Sequence, residues 1–302
     1  MKKHSSMALV VFAVCMVSYS GPMVKGALNE GASPISVALL RMLAAALLML
    51  PYEARQCVRR HIPMKLTPAQ WGLTALAAAF LAAHYITWIT SLTGTSTFAS
   101  VALVCTQPLF VAFFSYVLFH ERTPRRALPG ALLALLGAVT IALSGLSGQE
   151  AQATGQEALR SNLLALAGAV LMAAHWLAGR QIRQTLAAEV YTPVLYLITA
   201  ALLALCLPLS GGFRMPISAL PYMAGLVIGS TLLGHAVFAY ALSGVSANVI
   251  SFALLGEPVG AMIFSMIFFG EVPTWPVALG GLLTLMGLAL YLAFAGGEKQ
   301  PA

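Results

Sequence analysis

Stretches of about twenty apolar residues recur along this chain, each long enough to cross the roughly 30 Å hydrocarbon core of a bilayer. That recurrence constrains the fold more than any single motif does. Of 302 residues, 60% are hydrophobic and only 8% charged, whereas a soluble globular chain carries about 25% charged residues. There are too few charges to cover the surface of a soluble domain, and the mean hydropathy of +0.88 agrees. In lipid every backbone polar group must be satisfied within the chain, and a barrel would need short alternating strands. The continuous runs therefore predict an all-α membrane protein of ten transmembrane helices. The spans fall near 7–27, 33–51, 69–92, 96–119, 125–146, 160–185, 191–210, 217–242, 246–270 and 273–295. The first of these follows Lys2 and Lys3 in the manner of a signal peptide. It runs on past Gly21-Pro22 without a small-x-small cleavage site, so it is read as a membrane helix.

The net charge of +7 comes from residues in short loops, which read as topology signals rather than a nucleic-acid surface. With the N-terminus inside, twelve Lys and Arg lie on the cytoplasmic side, among them Arg55, Arg59, Arg60, Arg125, Arg126, Arg180 and Arg183. Only Lys25, Arg160 and Arg214 lie opposite. The asymmetry predicts a multi-pass protein of the bacterial inner membrane with both termini cytoplasmic. Cys15, Cys105 and Cys206 lie in apolar runs and Cys57 in a basic loop. No spacing suits a metal, and a disulfide framework is not expected.

The halves of the chain align without gaps when the sequence is shifted by 150 residues. Leu92-x-Gly94-x-Ser96 meets Leu242-x-Gly244-x-Ser246, Pro108 meets Pro258, and Phe119-x-Glu121 meets Phe269-x-Glu271. Gly130 meets Gly280 and Gly137 meets Gly287. Five spans per half is an odd number, so the second half enters the membrane from the opposite side. The result is a pair of inverted repeats, 1–148 and 160–302, joined by a polar connector at 149–159. Such repeats place a substrate near the midplane and alternate its access between the two sides.

With these features the chain resembles the drug/metabolite transporter superfamily, and within it the ten-helix EamA-type exporters. The resemblance rests on two five-helix repeats, on Pro108 and Pro258 in helices 4 and 9, and on Glu121 and Glu271 at their ends. The overall pattern is similar to bacterial aromatic amino-acid exporters. This resemblance implies a basket of helices around a central cavity, lined mainly by helices 3, 4, 8 and 9, and export of small metabolites such as amino acids.

Polar groups at membrane depth are costly and are functional candidates by default. Glu257 lies about eleven residues into helix 9, next to Pro258, and its repeat mate is Gln107, next to Pro108. Glu257 either binds a substrate amine or carries a proton, or it satisfies backbone freed by the proline. Arg41, inside helix 2, either holds a substrate carboxylate, pairs with Glu257, or snorkels to the outer interface. His84, Tyr85 and Trp88 on helix 3, His175 and Trp176 on helix 6, His235 and Tyr240 on helix 8, and Asn248 on helix 9 complete the substrate-binding candidates. Singly each is more often packing than ligand. Together they offer aromatic walls and a few donors, which suits a small apolar zwitterion. Glu121 and Glu271 read as interfacial anchors or gate residues. Gly225-x-x-x-Gly229 and Gly280-Gly281 read as close packing within the bundle, and Gly21-Pro22 as a break in helix 1.

Other classes fit less well. The chain has no Asp, no HExxH and no GxxxxGK[ST], so an enzyme or a built-in ATPase lacks its chemistry. A channel would use a filter or an oligomeric ring. The expectation is a secondary transporter, without cofactor or metal, acting as a monomer in the lipid bilayer on amino acids or, alternatively, on a broader set of drugs. No nucleic-acid partner is expected.

Overall fold

The computed structural model describes residues 3–121, 123–144, 155–234 and 255–295, and these form helices joined by short turns, with no strand among them. Helix α1 is two pieces, Lys3–Ser18 and Ser20–Asn29, broken at Tyr19. Pro22 has no N–H to give the carbonyl of Ser18, so the sequence itself opens the helix one turn before the proline. α2 spans Pro34–Arg59 and α3 spans Pro68–Ser91. Each starts on a side-chain cap, Ser33 for α2 and Thr67 with Gln70 for α3. α4 is again two pieces, Thr97–Val104 and Gln107–Phe119, interrupted before Pro108. α5 is Leu128–Ser144, α6 is Gly155–Ile182 and α7 is Ala188–Leu205. α8 begins at Leu220–Ala224 and continues as a π-helix over Gly225–Gly234. α9 is Gly256–Phe269 and α10 is Trp275–Ala295.

Several boundaries differ from the expected spans. α2 runs through Pro51 to Arg59, because the ring occupies a turn whose neighbours still supply helical geometry. α6 starts at Gly155, five residues ahead of the expected 160. Both segments are polar extensions that apolar periodicity does not report. Eight helices of the described residues are long and apolar enough to cross a membrane. Ile217–Leu233 and Gly256–Phe269 are shorter apolar helices flanking 235–254, which lie outside the described residues.

The packing carries the repeat. α3 lies along α6 as α1 does along α8, and α4 lies on α6 as α1 does on α9. The pairs α2–α7, α4–α9 and α5–α10 map onto themselves when the halves are exchanged. This contact pattern is that of a pseudo-two-fold axis between inverted five-helix halves. It persists in local detail. His120 at the end of α4 and Gly270 at the end of α9 both adopt a left-handed conformation, with φ of 57° and 64°. The next N–H reaches six residues back in each case, Glu121 to the Ser115 carbonyl and Glu271 to the Ser265 carbonyl, both at 3.3 Å. One half meets the left-handed turn with glycine, and the other forces a histidine into it.

The tightest contact is a glycine seam between α5 and α10. A Cβ on Gly137 would strike the backbone of Gly280 and Thr284. One on Gly287 would strike the backbone of Ala134 and Gly130. The two antiparallel helices therefore touch main chain to main chain at two symmetry-related points, which only missing side chains allow. Gly281 faces the Phe98 ring and Gly225 faces Met23 and Tyr19, so these glycines also serve packing within the bundle.

Gly137→Leu and Gly287→Leu should each destabilise the folded protein by about 1–3 kcal/mol or more, the usual cost of overpacking. Gly72→Ala, with nothing within 4 Å of the added Cβ, should be neutral. Thermal unfolding of the three variants in detergent checks this. Equal midpoints would show that the seam does not hold the halves together.

Candidate functional site

The site grows from one buried cation. Arg41 sits two turns into α2 and is 4% exposed, so it does not snorkel to an interface. One guanidinium nitrogen donates to Ser20 Oγ at 3.1 Å, at the start of the second piece of α1. The guanidinium carbon lies 5.2 Å from the Tyr85 ring centre and 5.9 Å from that of Trp88, within cation–π range. Among the described residues no carboxylate comes within 4.0 Å of it, the two ion pairs there being Arg60–Glu189 and Arg180–Glu121. Its Nε and the indole N–H of Trp88 are buried with no hydrogen-bond partner among the described residues, as is the side-chain carbonyl of Gln107. A buried charge with an empty donor, beside an empty indole N–H, is an expensive arrangement for mere packing.

The aromatic part comes from the spacing of α3. His84 and Trp88, four residues apart, share a face and stack at 5.8 Å with 14° between their planes. Tyr85 completes the cluster, 5.1 Å from His84 and 6.2 Å from Trp88. Tyr196 on α7 lies within electrostatic reach of both Arg41 and Tyr85. Glu257, in the first turn of α9, lies within electrostatic reach of Arg41 and of the Cys105 thiol at the break in α4, without forming an ion pair. Pro108 sits at the start of the second piece of α4, and Pro258 is buried in the first turn of α9. Both prolines therefore stand where a helix is interrupted or begun close to this cluster.

The two histidines of α3 and α6 also have a mechanical job. His84 Nδ1 lies 2.9 Å from the Gly168 carbonyl, and His175 Nδ1 lies 2.9 Å from the Ala77 carbonyl. A carbonyl only accepts, so each Nδ1 carries the proton. The two bonds run in opposite directions between the antiparallel helices and clamp α3 to α6. Trp176 does not join the aromatic cluster. It is 58% exposed, because it follows His175 by one residue and so turns away from the face His175 presents to α3. His235, Tyr240 and Asn248 lie outside the described residues.

Ser20 and Tyr196 are members that sequence reasoning missed. Ser20 carried a weak signal, a hydroxyl beside the helix break at Gly21-Pro22. Tyr196 carried another, an aromatic hydroxyl at mid-span.

The paired glutamates take unlike partners. Glu271 accepts from the Thr97 backbone N–H at 3.0 Å, capping the first piece of α4. Close by, Lys25 Nζ donates to the Leu92 carbonyl at 2.6 Å, and Thr95 donates to Asn162 at 2.7 Å. Glu121 instead receives two hydrogen bonds from Arg180, at 2.6 and 2.9 Å. Those bonds and the charge of Arg180 hold the Glu121 carboxyl below the ordinary carboxylate range, against a smaller opposing effect of burial.

Because the Glu121 pKa is depressed on folding, its pairing stabilises the protein above the ordinary value of about 4.3 and is lost as pH falls through the lowered one. Arg180→Gln should lower stability at pH 7 by at most about 1 kcal/mol, since both partners are exposed. The difference should close below about pH 4. Thermal midpoints of both proteins across that range test the pairing, and a difference that persists in acid would contradict it.

Comparison with known proteins bears on the fold and the family. A solved structure described only as "Crystal structure of protein" matches over 98% of this chain and 100% of its own, with a TM-score of 0.63 at 19% identity. At that identity the likeness shows the fold alone. Seventeen chains of solved structures match in all, and no curated protein matches. The model of the EamA-like transporter family matches twice, over residues 4–143 and 159–293. The chain therefore belongs to the EamA-like transporter family of the drug/metabolite transporter superfamily, a family of membrane transporters.

Proposed function

We propose that this transporter exports neutral amino acids, aromatic ones foremost, from the cytoplasm by alternating access. The observation that carries the reading is Arg41, a buried guanidinium with no carboxylate partner among the described residues and with an unused Nε. A substrate carboxylate beside Arg41 would satisfy that Nε and offset the cost of keeping the charge in lipid. Tyr85 and Trp88 lie over the same guanidinium and supply apolar faces for an aromatic side chain, while the free indole N–H adds one directional donor. Glu257, within electrostatic reach of Arg41, is the group to receive the substrate ammonium. A zwitterion would thus meet a cation, an anion and an aromatic wall.

The distribution of Lys and Arg supports cytoplasmic termini in a bacterial inner membrane. The halves are assigned as 1–148 and 160–302, with 149–159 between them, acting together as a monomer. Pro108 and Pro258, with Glu121 and Glu271 at the far ends of the same helices, are the points about which α4 and α9 would move.

Counterflow in liposomes tests the reading. Labelled phenylalanine should exchange, phenylethylamine, which lacks the carboxylate, should compete at least tenfold less well, and Arg41→Gln should abolish that discrimination; a bidentate charge-assisted contact is worth about 1.5–3 kcal/mol, roughly ten- to a hundredfold. Trp88→Phe, which keeps an aromatic face, should retain exchange. If lipophilic cations compete and no amino acid does, the protein is a drug exporter instead.

A further inference from the structure

A second site lies on the outside of the bundle. The inner piece of α4 packs on α6, while α5 packs on α10. Between α4 and α5 the two pairings leave a groove of about 510 Å3. Its α4 wall is the stripe Leu109, Phe113 and Tyr116, spaced four and three residues apart on one face. Its α5 wall is Leu128 and Leu135, seven residues apart. Seven residues make about 11 Å of helix, so both walls are apolar for most of one leaflet, which is about 15 Å of the roughly 30 Å core. The floor is Tyr291 of α10, which lines the groove together with Thr123.

The mouth differs from the walls. Thr123 and Arg125, in the turn between α4 and α5, close the groove at the end where the helices leave the membrane. Arg125 is exposed, and its side chain has no hydrogen bond or ion pair to the described residues. The groove thus combines an apolar slot one chain long with a cation and a hydroxyl at headgroup depth. Basic pockets between helices on the cytoplasmic side suit anionic headgroups.

We propose that this groove binds an anionic phospholipid of the cytoplasmic leaflet, an acyl chain along Phe113 and Leu135 and the phosphate at Arg125 and Thr123. The assignment of leaflet rests on the orientation proposed above, but the lipid chemistry does not. Occupancy would couple the inner end of α4, at Phe119 just before Glu121, to the composition of the membrane.

Native mass spectrometry of the delipidated full-length protein tests this without any transport assay. Titration with dioleoyl phosphatidylglycerol should fill one site ahead of dioleoyl phosphatidylcholine. Arg125→Gln should reduce that preference about fivefold, the worth of one basic residue at an anionic surface. Arg126→Gln, an exposed neighbour that does not line the groove, should leave it unchanged. Leu135→Trp, at the exposed deep end of the slot, should displace both lipids. Equal retention of the two lipids, an equal effect of Arg125→Gln and Arg126→Gln, or binding indifferent to Leu135→Trp would each overturn the proposal.

Discussion

Placing a guanidinium at membrane depth costs several kcal/mol unless other groups replace its water, and the centre of this protein is organised around that cost. Ser20 gives Arg41 one hydrogen bond, and the faces of Tyr85 and Trp88 give it a diffuse negative potential. No carboxylate among the described residues completes the set. Three elements converge to supply what is there: the restarted α1, α2 two turns from its start and the aromatic face of α3. α3 is held in place by the His84 and His175 clamps to α6, and α2 by its packing along α7.

The symmetry of the scaffold is not matched by symmetry of its polar groups. The backbone turns at His120 and Gly270 are near copies, yet Glu121 holds an exposed arginine while Glu271 caps a helix beside the Lys25 contacts. The α5–α10 seam is symmetric to the level of main-chain atoms, because close packing tolerates no substitution there. The ends of α4 and α9 carry no such main-chain seam, and a Cβ on Gly270 would meet nothing within 4 Å, so their side chains are free to differ. An inverted repeat thus keeps a common scaffold and leaves the side chains at its two ends free to specialise.

Much of this was legible in the sequence, for definite reasons. Apolar length reveals spans because lipid permits little else. The 150-residue register revealed the repeat because Gly130, Gly137, Pro108 and their mates hold backbone positions that other residues cannot fill. What stayed hidden depended on rotation and partners. Hydropathy gives no face, so Trp176 and His175 looked equivalent although one is exposed and the other clamps a neighbouring helix. Ser20 and Tyr196 are ordinary residues until Arg41 comes beside them. The split of α4 into two pieces followed from Pro108, but its coincidence with the reach of Glu257 needed the third dimension.

The central claim is that the Arg41 cluster is a substrate seat reached in turn from both sides of the membrane. Ser20, hydrogen-bonded to Arg41, reports on it directly. In a variant lacking the four native cysteines, Ser20→Cys can be challenged with a membrane-impermeant thiol reagent applied to either face of oriented vesicles. Alternating access requires modification from each face and protection by phenylalanine on both. Modification from one face alone, or modification that phenylalanine leaves unchanged, would contradict the account.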